Sequence, residues 1–170
     1  MSRTVKTLKR LSAVAATAAC ALAFSTPAHA QANAYLTLLN QGTGKCLAVP
    51  HASEANGVGL VQWECKGEAD AEQRWQLEHV AGGNGDRYLV RNRNSSKCLA
   101  IPGGTSVNGT QAIQWTCNGG SSQIWIHDSR NRLRNLASDR CLAIPNASAA
   151  NGTKAIQWTC ATSLDQRWLW

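Results

Sequence analysis

The chain carries one unit three times, and this constrains its fold more than any other feature, because a fixed internal period defines the architectural unit before any residue is interpreted. Lys45-Cys46-Leu47-Ala48-Val49-Pro50 returns as Lys97-Cys98-Leu99-Ala100-Ile101-Pro102 and as Arg140-Cys141-Leu142-Ala143-Ile144-Pro145. Ten residues after each first cysteine comes an Asn-Gly pair, at Asn56-Gly57, Asn108-Gly109 and Asn151-Gly152. Seventeen after it stands Trp63, Trp115 or Trp158, each preceded by Gln, and nineteen after it a second cysteine, Cys65, Cys117 or Cys160. Each unit closes on Gln-x-Trp: Gln73-Arg74-Trp75, Gln123-Ile124-Trp125 and Gln166-Arg167-Trp168. An Asn precedes each first cysteine by six residues, at Asn40, Asn92 and Asn135.

The steps between first cysteines are 52 and 43 residues, and the excess falls near Gly67 to Glu72 and in the Gly-rich stretch Ala81 to Asp86, which reads as a longer surface loop. The constant spacing of nineteen makes pairing within each unit the economical disulfide pattern: Cys46 with Cys65, Cys98 with Cys117, Cys141 with Cys160. Zinc is the weaker reading, since the cysteines form no CxxC pairs. Short apolar alternations broken by Gly, Asn and Pro indicate an all-β chain, and no window keeps a helical period. The Asn-Gly turn lets the two cysteine segments of a unit pair as antiparallel strands. With Cys46 facing Cys65, Ala48 comes opposite Trp63, and Leu47 and Val49 point to the other face.

Charge tells a different story before and after the leader is removed. Arg3, Lys6, Lys9 and Arg10 precede an apolar run from Leu11 to Phe24 that ends near Ala28-His29-Ala30, the layout of a secretory signal peptide cut after Ala30. Residues 1–30 are therefore read as a leader and 31–170 as one domain of three repeats, at about 35–80, 87–128 and 132–170. A lipoprotein reading would use Cys20, but Thr17 stands where such signals usually carry Leu. Cleavage takes four of 17 basic residues and none of the ten acids, so the formal charge falls from +7 to +3. That argues against nucleic acid as a partner. Cleavage also leaves six cysteines in an exported chain, which fits the three-bridge framework.

With these motifs in place the sequence resembles the ricin B-type lectin domain over essentially all of residues 35–170. The resemblance implies a β-trefoil: twelve strands about a pseudo-threefold axis, with Trp75, Trp125 and Trp168 in the central core and a shallow sugar pocket on each unit. It places the stacking aromatic on Trp63, Trp115 and Trp158, and a hydrogen-bonding amide on Gln73, Gln123 and Gln166. The residue before that amide, often Asn in the family, is Glu72, Ser122 or Asp165 here. Two positions after the first cysteine, where a binding unit typically has Asp, stand Ala48, Ala100 and Ala143. A carboxylate accepting sugar hydroxyls is worth roughly 1.5–3 kcal/mol per charge-assisted bond, so its loss removes a large share of a weak site. Glu72 and Asp165 offer a carboxylate from the opposite rim, favouring the first and third units.

Two readings of Trp63, Trp115 and Trp158 remain: cover for the disulfides, or sugar platforms. Gln62, Gln114 and Gln157 read as satisfied structural amides, the repeated Asn residues as turn formers, and Trp170 as part of the strand that closes the barrel. Asn94, Asn108, Asn146 and Asn151 head glycosylation sequons, which matter only in a glycosylating host. His51, His79 and His127 occupy unrelated places in their repeats, and Asp70 and Glu72 form no evident acid pair, so no catalytic site is expected. The expectation is a secreted lectin or stand-alone carbohydrate-binding module, monomeric, with no cofactor, metal or membrane partner, recognising galactose- or xylose-type sugars or polysaccharide. The alternative is a protein-binding β-trefoil, such as a protease inhibitor or toxin-associated subunit, that has lost sugar binding.

Overall fold

The computed structural model describes residues 34–82 and 86–170; the leader, Cys20 and the centre of the Ala81–Asp86 loop lie outside them. Twelve strands appear in this part of the chain. In the first repeat they are β1 (Leu39–Asn40), β2 (Cys46–Ala48), β3 (Val61–Trp63) and β4 (Trp75–His79). The second repeat supplies β5 (Asp86–Asn92), β6 (Cys98–Ala100), β7 (Ile113–Trp115) and β8 (Ile124–His127). The third supplies β9 (Leu133–Asn135), β10 (Cys141–Ala143), β11 (Ile156–Trp158) and β12 (Trp168–Leu169). Asp86 thus belongs to a strand, not to the surface loop expected of it.

Six strands close a ring. β1 pairs with β12, β4 with β5, β5 with β8 and β8 with β9, and the bridges Leu36–Trp75 and Arg132–Arg167 complete the circuit. The hairpins β2–β3, β6–β7 and β10–β11 form the cap. This is the β-trefoil that the resemblance implied, and its closure leaves no long barrel edge open to pairing. Where the cap strands meet, Leu60 N–H donates to Ala112 C=O, Ala112 to Ala155 and Ala155 to Leu60, at 2.8, 2.9 and 3.0 Å. This cyclic exchange satisfies three backbone donors that the hairpins leave buried.

Trp75, Trp125 and Trp168 are fully buried. Each indole N–H donates to the carbonyl of Leu47, Leu99 or Leu142 at 2.9–3.0 Å, so the ring fills the core without stranding its polar atom. The three disulfides pair as the spacing indicated, with Cα–Cα distances of 5.0–5.1 Å.

The hairpin register differs from the expected one by two residues. Cys46 lies opposite Trp63, Leu47 opposite Gln62 and Ala48 opposite Val61, and the other units repeat this pattern. The strand ends at Trp63 and Cys65 closes its bridge from the following loop, so the disulfide does not define the directly paired residues. A shift of two preserves the faces: Leu47 and Val49 still point into the core. Trp170 also differs from expectation. It lies past β12, is exposed, and packs on His127 with ring centroids 4.1 Å apart.

Candidate functional site

Each unit presents one cleft, built from the same positions. The hairpin supplies a small Ala, an aliphatic residue and an exposed Trp from one face. A one-turn helix after the first hairpin strand forms one rim, and a second one-turn helix before the core Trp forms the other. The first cleft, about 360 Å³, is lined by Ala48, Pro50, His51, Val61, Trp63, Lys66, Glu72 and Gln73 among others. The second, about 340 Å³, is lined by Ala100, Pro102, Gly103, Ile113, Trp115, Asn118, Ser122 and Gln123. The third, about 440 Å³, is lined by Ala143, Pro145, Asn146, Ile156, Trp158, Ala161, Ser163, Asp165 and Gln166.

Trp63, Trp115 and Trp158 are 42, 44 and 46 % exposed, while the Gln-x-Trp tryptophans are sealed. Their positions depend on the neighbouring repeat. Cζ3 of Trp115 lies 3.6 Å from where a β-carbon on Gly57 would stand, and Trp63 and Trp158 stand in the same relation to Gly152 and Gly109 at 3.6 and 3.7 Å. All three glycines have φ near +80°, a conformation that suits glycine and allows the indole to pack close to the backbone. The Asn before each glycine fixes the turn to the next unit: Asn56 to Thr116, Asn108 to Thr159, and Asn151, through its Oδ1, to the Glu64 amide.

Gln62, Gln114 and Gln157 are fully buried and join repeats. The Gln114 amide nitrogen donates to Ser53 and Ala55 carbonyls at 2.7 and 2.9 Å, and its oxygen accepts from Ser95 Oγ at 2.7 Å. Gln62 reaches Ser148 and Ala150, and Gln157 reaches Thr105 and Val107. Asn40, Asn92 and Asn135 do comparable work on the opposite side. Each Oδ1 accepts two turn amides, and each Nδ2 donates to the carbonyl of Asp165, Glu72 or Ser122. The amides of Ile144, Val49 and Ile101 reach those same carbonyls. The backbone carrying the rim residue is thereby fixed.

Gln73, Gln123 and Gln166 form the cleft floors but are only 1–2 % exposed. Each amide donates to the carbonyl just before its second cysteine and accepts the N–H just after it: Glu64 and Lys66 for Gln73, Thr116 and Asn118 for Gln123, Thr159 and Ala161 for Gln166. Their first role is to brace the loop that carries the disulfide. Ala48, Ala100 and Ala143 are buried in the clefts and bring no polar atom.

The rims differ in charge. Glu72 accepts from Lys66 Nζ at 2.8 Å, and Asp70 lies 3.6 Å from the same ammonium. Partial burial pushes the Glu72 carboxyl up, but the Lys66 hydrogen bond, its own backbone amide and the Lys66 charge together hold it below the usual carboxylate range. Among the described residues no ionisable one lines the second cleft. The third has Asp165 alone. Sequence reasoning assigned no cleft role to His51, Gly103 and Asn146, which follow the repeated Pro with φ of 55, 62 and 55° and line equivalent places. It also missed Lys66, Asn118 and Ala161, one residue past the second cysteine. The signal available was their dissimilarity at positions where the units are otherwise alike.

No curated relative matches the chain in sequence. Among solved structures it is similar to the designed threefold-symmetric protein ThreeFoil, at 30 % identity and TM-score 0.71, covering 79 % of this chain and 95 % of that one. It is similar also to an exo-β-1,3-galactanase from Clostridium thermocellum, at 26 % identity and TM-score 0.69, covering 80 % of this chain but 29 % of the galactanase. The C-terminal half of an earthworm R-type lectin, solved with GalNAc, shares the fold at 17 % identity and TM-score 0.61, covering 79 % of this chain and 95 % of that one. The description of the ricin-type β-trefoil lectin domain matches residues 34–168. With the three repeats, the closed barrel and the three equivalent clefts, that match establishes that the chain belongs to the ricin-type β-trefoil lectin domain family.

Proposed function

We propose that the chain, cut near Ala30, is a secreted, non-catalytic and monomeric carbohydrate-binding protein that holds galactose- or xylose-type sugars, or a polysaccharide of them, by stacking on tryptophan. The observation that carries this reading is the contrast between two sets of three tryptophans. One set is fully buried, whereas the other leaves roughly half of a large ring open in a cleft, at the same position of every unit. A half-exposed indole beside a small Ala offers a plane for the apolar C–H face of a sugar ring. Glu72 and Asp165 on the rims, with the second N–H of each floor amide, are the groups proposed to fix its hydroxyls.

Without a carboxylate on the Ala48 side, single sites are expected in the millimolar range, near 4 kcal/mol. Three such clefts on one body gain by avidity on a polymer. Retention on insoluble xylan, chitin and galactan, compared between the parent and a Trp63/Trp115/Trp158→Ala triple variant, tests the reading. Loss of retention in the variant is the expected result. Equal retention would sink the stacking mechanism, and no retention of the parent on any glycan would remove the carbohydrate reading.

A further inference from the structure

The three clefts share one geometry and differ in charge. In the first, the rim carboxylate is engaged by an ammonium from the same cleft, Lys66 to Glu72 at 2.8 Å. In the second, Ser122 stands on the rim and no ionisable group lines the walls. In the third, Asp165 occupies the rim, and Ala161 stands where Lys66 stands in the first. The Asp165 carbonyl is held by Asn40 and Ile144, whereas its carboxylate has no hydrogen bond or ion pair among the described residues. Among the described residues no basic one lines this cleft, and Trp158, 46 % exposed, is its aromatic wall.

Resting on the carbohydrate reading above, we infer that the third cleft selects a cationic amino sugar, a glucosamine residue with a free, protonated amine. An ammonium is drawn both to an unpaired carboxylate and to the face of an indole, and the pyranose ring supplies the C–H surface that stacks. The first cleft lacks this preference because Lys66 already occupies its carboxylate and repels a second cation. The second lacks it because it has no charge to offer. An exposed ion pair together with one cation–π contact corresponds to about tenfold in affinity, falling as salt is added.

The test is titration of the oxidised protein with a β-1,4-linked glucosamine trimer and with its fully N-acetylated counterpart. It is run at about pH 5.5, where a sugar amine, lowered below a simple aliphatic amine by the neighbouring oxygens, still carries its proton. The parent should bind the amine form about tenfold more tightly at low salt. Asp165→Asn should bring the two trimers to near parity, the ratio of their affinities being the readout, since the same carboxylate is also proposed to hold hydroxyls. Ala161→Lys should do the same by supplying the ammonium that the first cleft has, so two unlike variants report on one carboxylate. Trp63→Ala should leave the preference intact. Equal affinity of the parent for both trimers, or a preference that survives Asp165→Asn, overturns the inference while binding to xylan or galactan still stands. Competition by a lysine tripeptide as strong as by the amine trimer also overturns it, because the site would then read ammonium and not sugar. Failure of every glycan to bind removes the parent reading as well.

Discussion

Replacing Gln114 with Leu tests the claim that the Gln before each exposed tryptophan holds the repeats together. The side chain is fully buried, sits opposite Leu99 in the hairpin, and makes three hydrogen bonds outside it: to the Ser53 and Ala55 carbonyls and from Ser95 Oγ. Ser53 and Ala55 belong to the first repeat, 61 and 59 residues away. Leucine keeps most of the volume and removes three hydrogen bonds whose partners lie on half-buried Ser53 and Ser95 and on exposed Ala55, at about 1 kcal/mol each. The total is about 3 kcal/mol, or roughly 10 °C in Tm for a domain of this size. Gln157 provides an internal comparison, because its amide nitrogen makes the matching bonds to Thr105 and Val107 but its buried oxygen has no partner. Gln157→Leu should therefore cost about 1 kcal/mol less than Gln114→Leu. Urea unfolding of both variants, with disulfides intact, measures the difference. A loss below about 1 kcal/mol for Gln114→Leu, or a larger loss for Gln157→Leu, would refute the assignment of the junction to these amides.

Gly109→Ala should destabilise by about 1–2 kcal/mol, because φ is +83° there and an L side chain resists that conformation; thermal melts read the loss. The new β-carbon would stand 3.7 Å from Trp158, an ordinary van der Waals distance, so the loss should come from the backbone and leave binding at the third cleft in place, read by titration of the variant beside the parent. A pH effect is expected from His127, whose imidazole is held below its ordinary value by burial, against the opposing pull of Asp128, Asp86 and Asn131. The folded form resists a proton that the unfolded chain accepts, so stability should be full above the ordinary histidine range. It should fall as pH drops from that range toward the lowered folded value. His127→Gln should flatten that part of a Tm-against-pH curve, and an unchanged slope would contradict the burial argument.

The repeat was legible because each unit must perform the same local tasks. Cysteine spacing, Asn-Gly turns and Gln-x-Trp recur wherever a bridge, a positive φ or a core filler is needed, and these needs are met within some twenty residues. The three disulfides and the β character followed from that regularity, and the trefoil from the family resemblance that the repeated motifs carry. The hairpin register did not, because a disulfide closes over a range of Cα–Cα distances and from a loop as readily as from a strand. Trp170 gave no sign of lying outside the barrel, since one exposed terminal aromatic looks the same in sequence as a buried one.

Which residues meet across repeats was beyond the sequence as well. Gln62 touches Ser148, and the Asn151–Gly152 turn supports Trp63, only because three units close about an axis. Closure brings chemically similar positions together, and local pattern carries no record of which neighbour each one meets. The sequence by itself determined the unit, its number and its covalent framework, since these depend on contacts within one repeat. The tertiary structure decided which tryptophans are sealed and which stand open, and that Glu72 is neutralised while Asp165 is not. Burial and charge pairing are properties of the assembled surface, and no segment possesses them before the barrel closes.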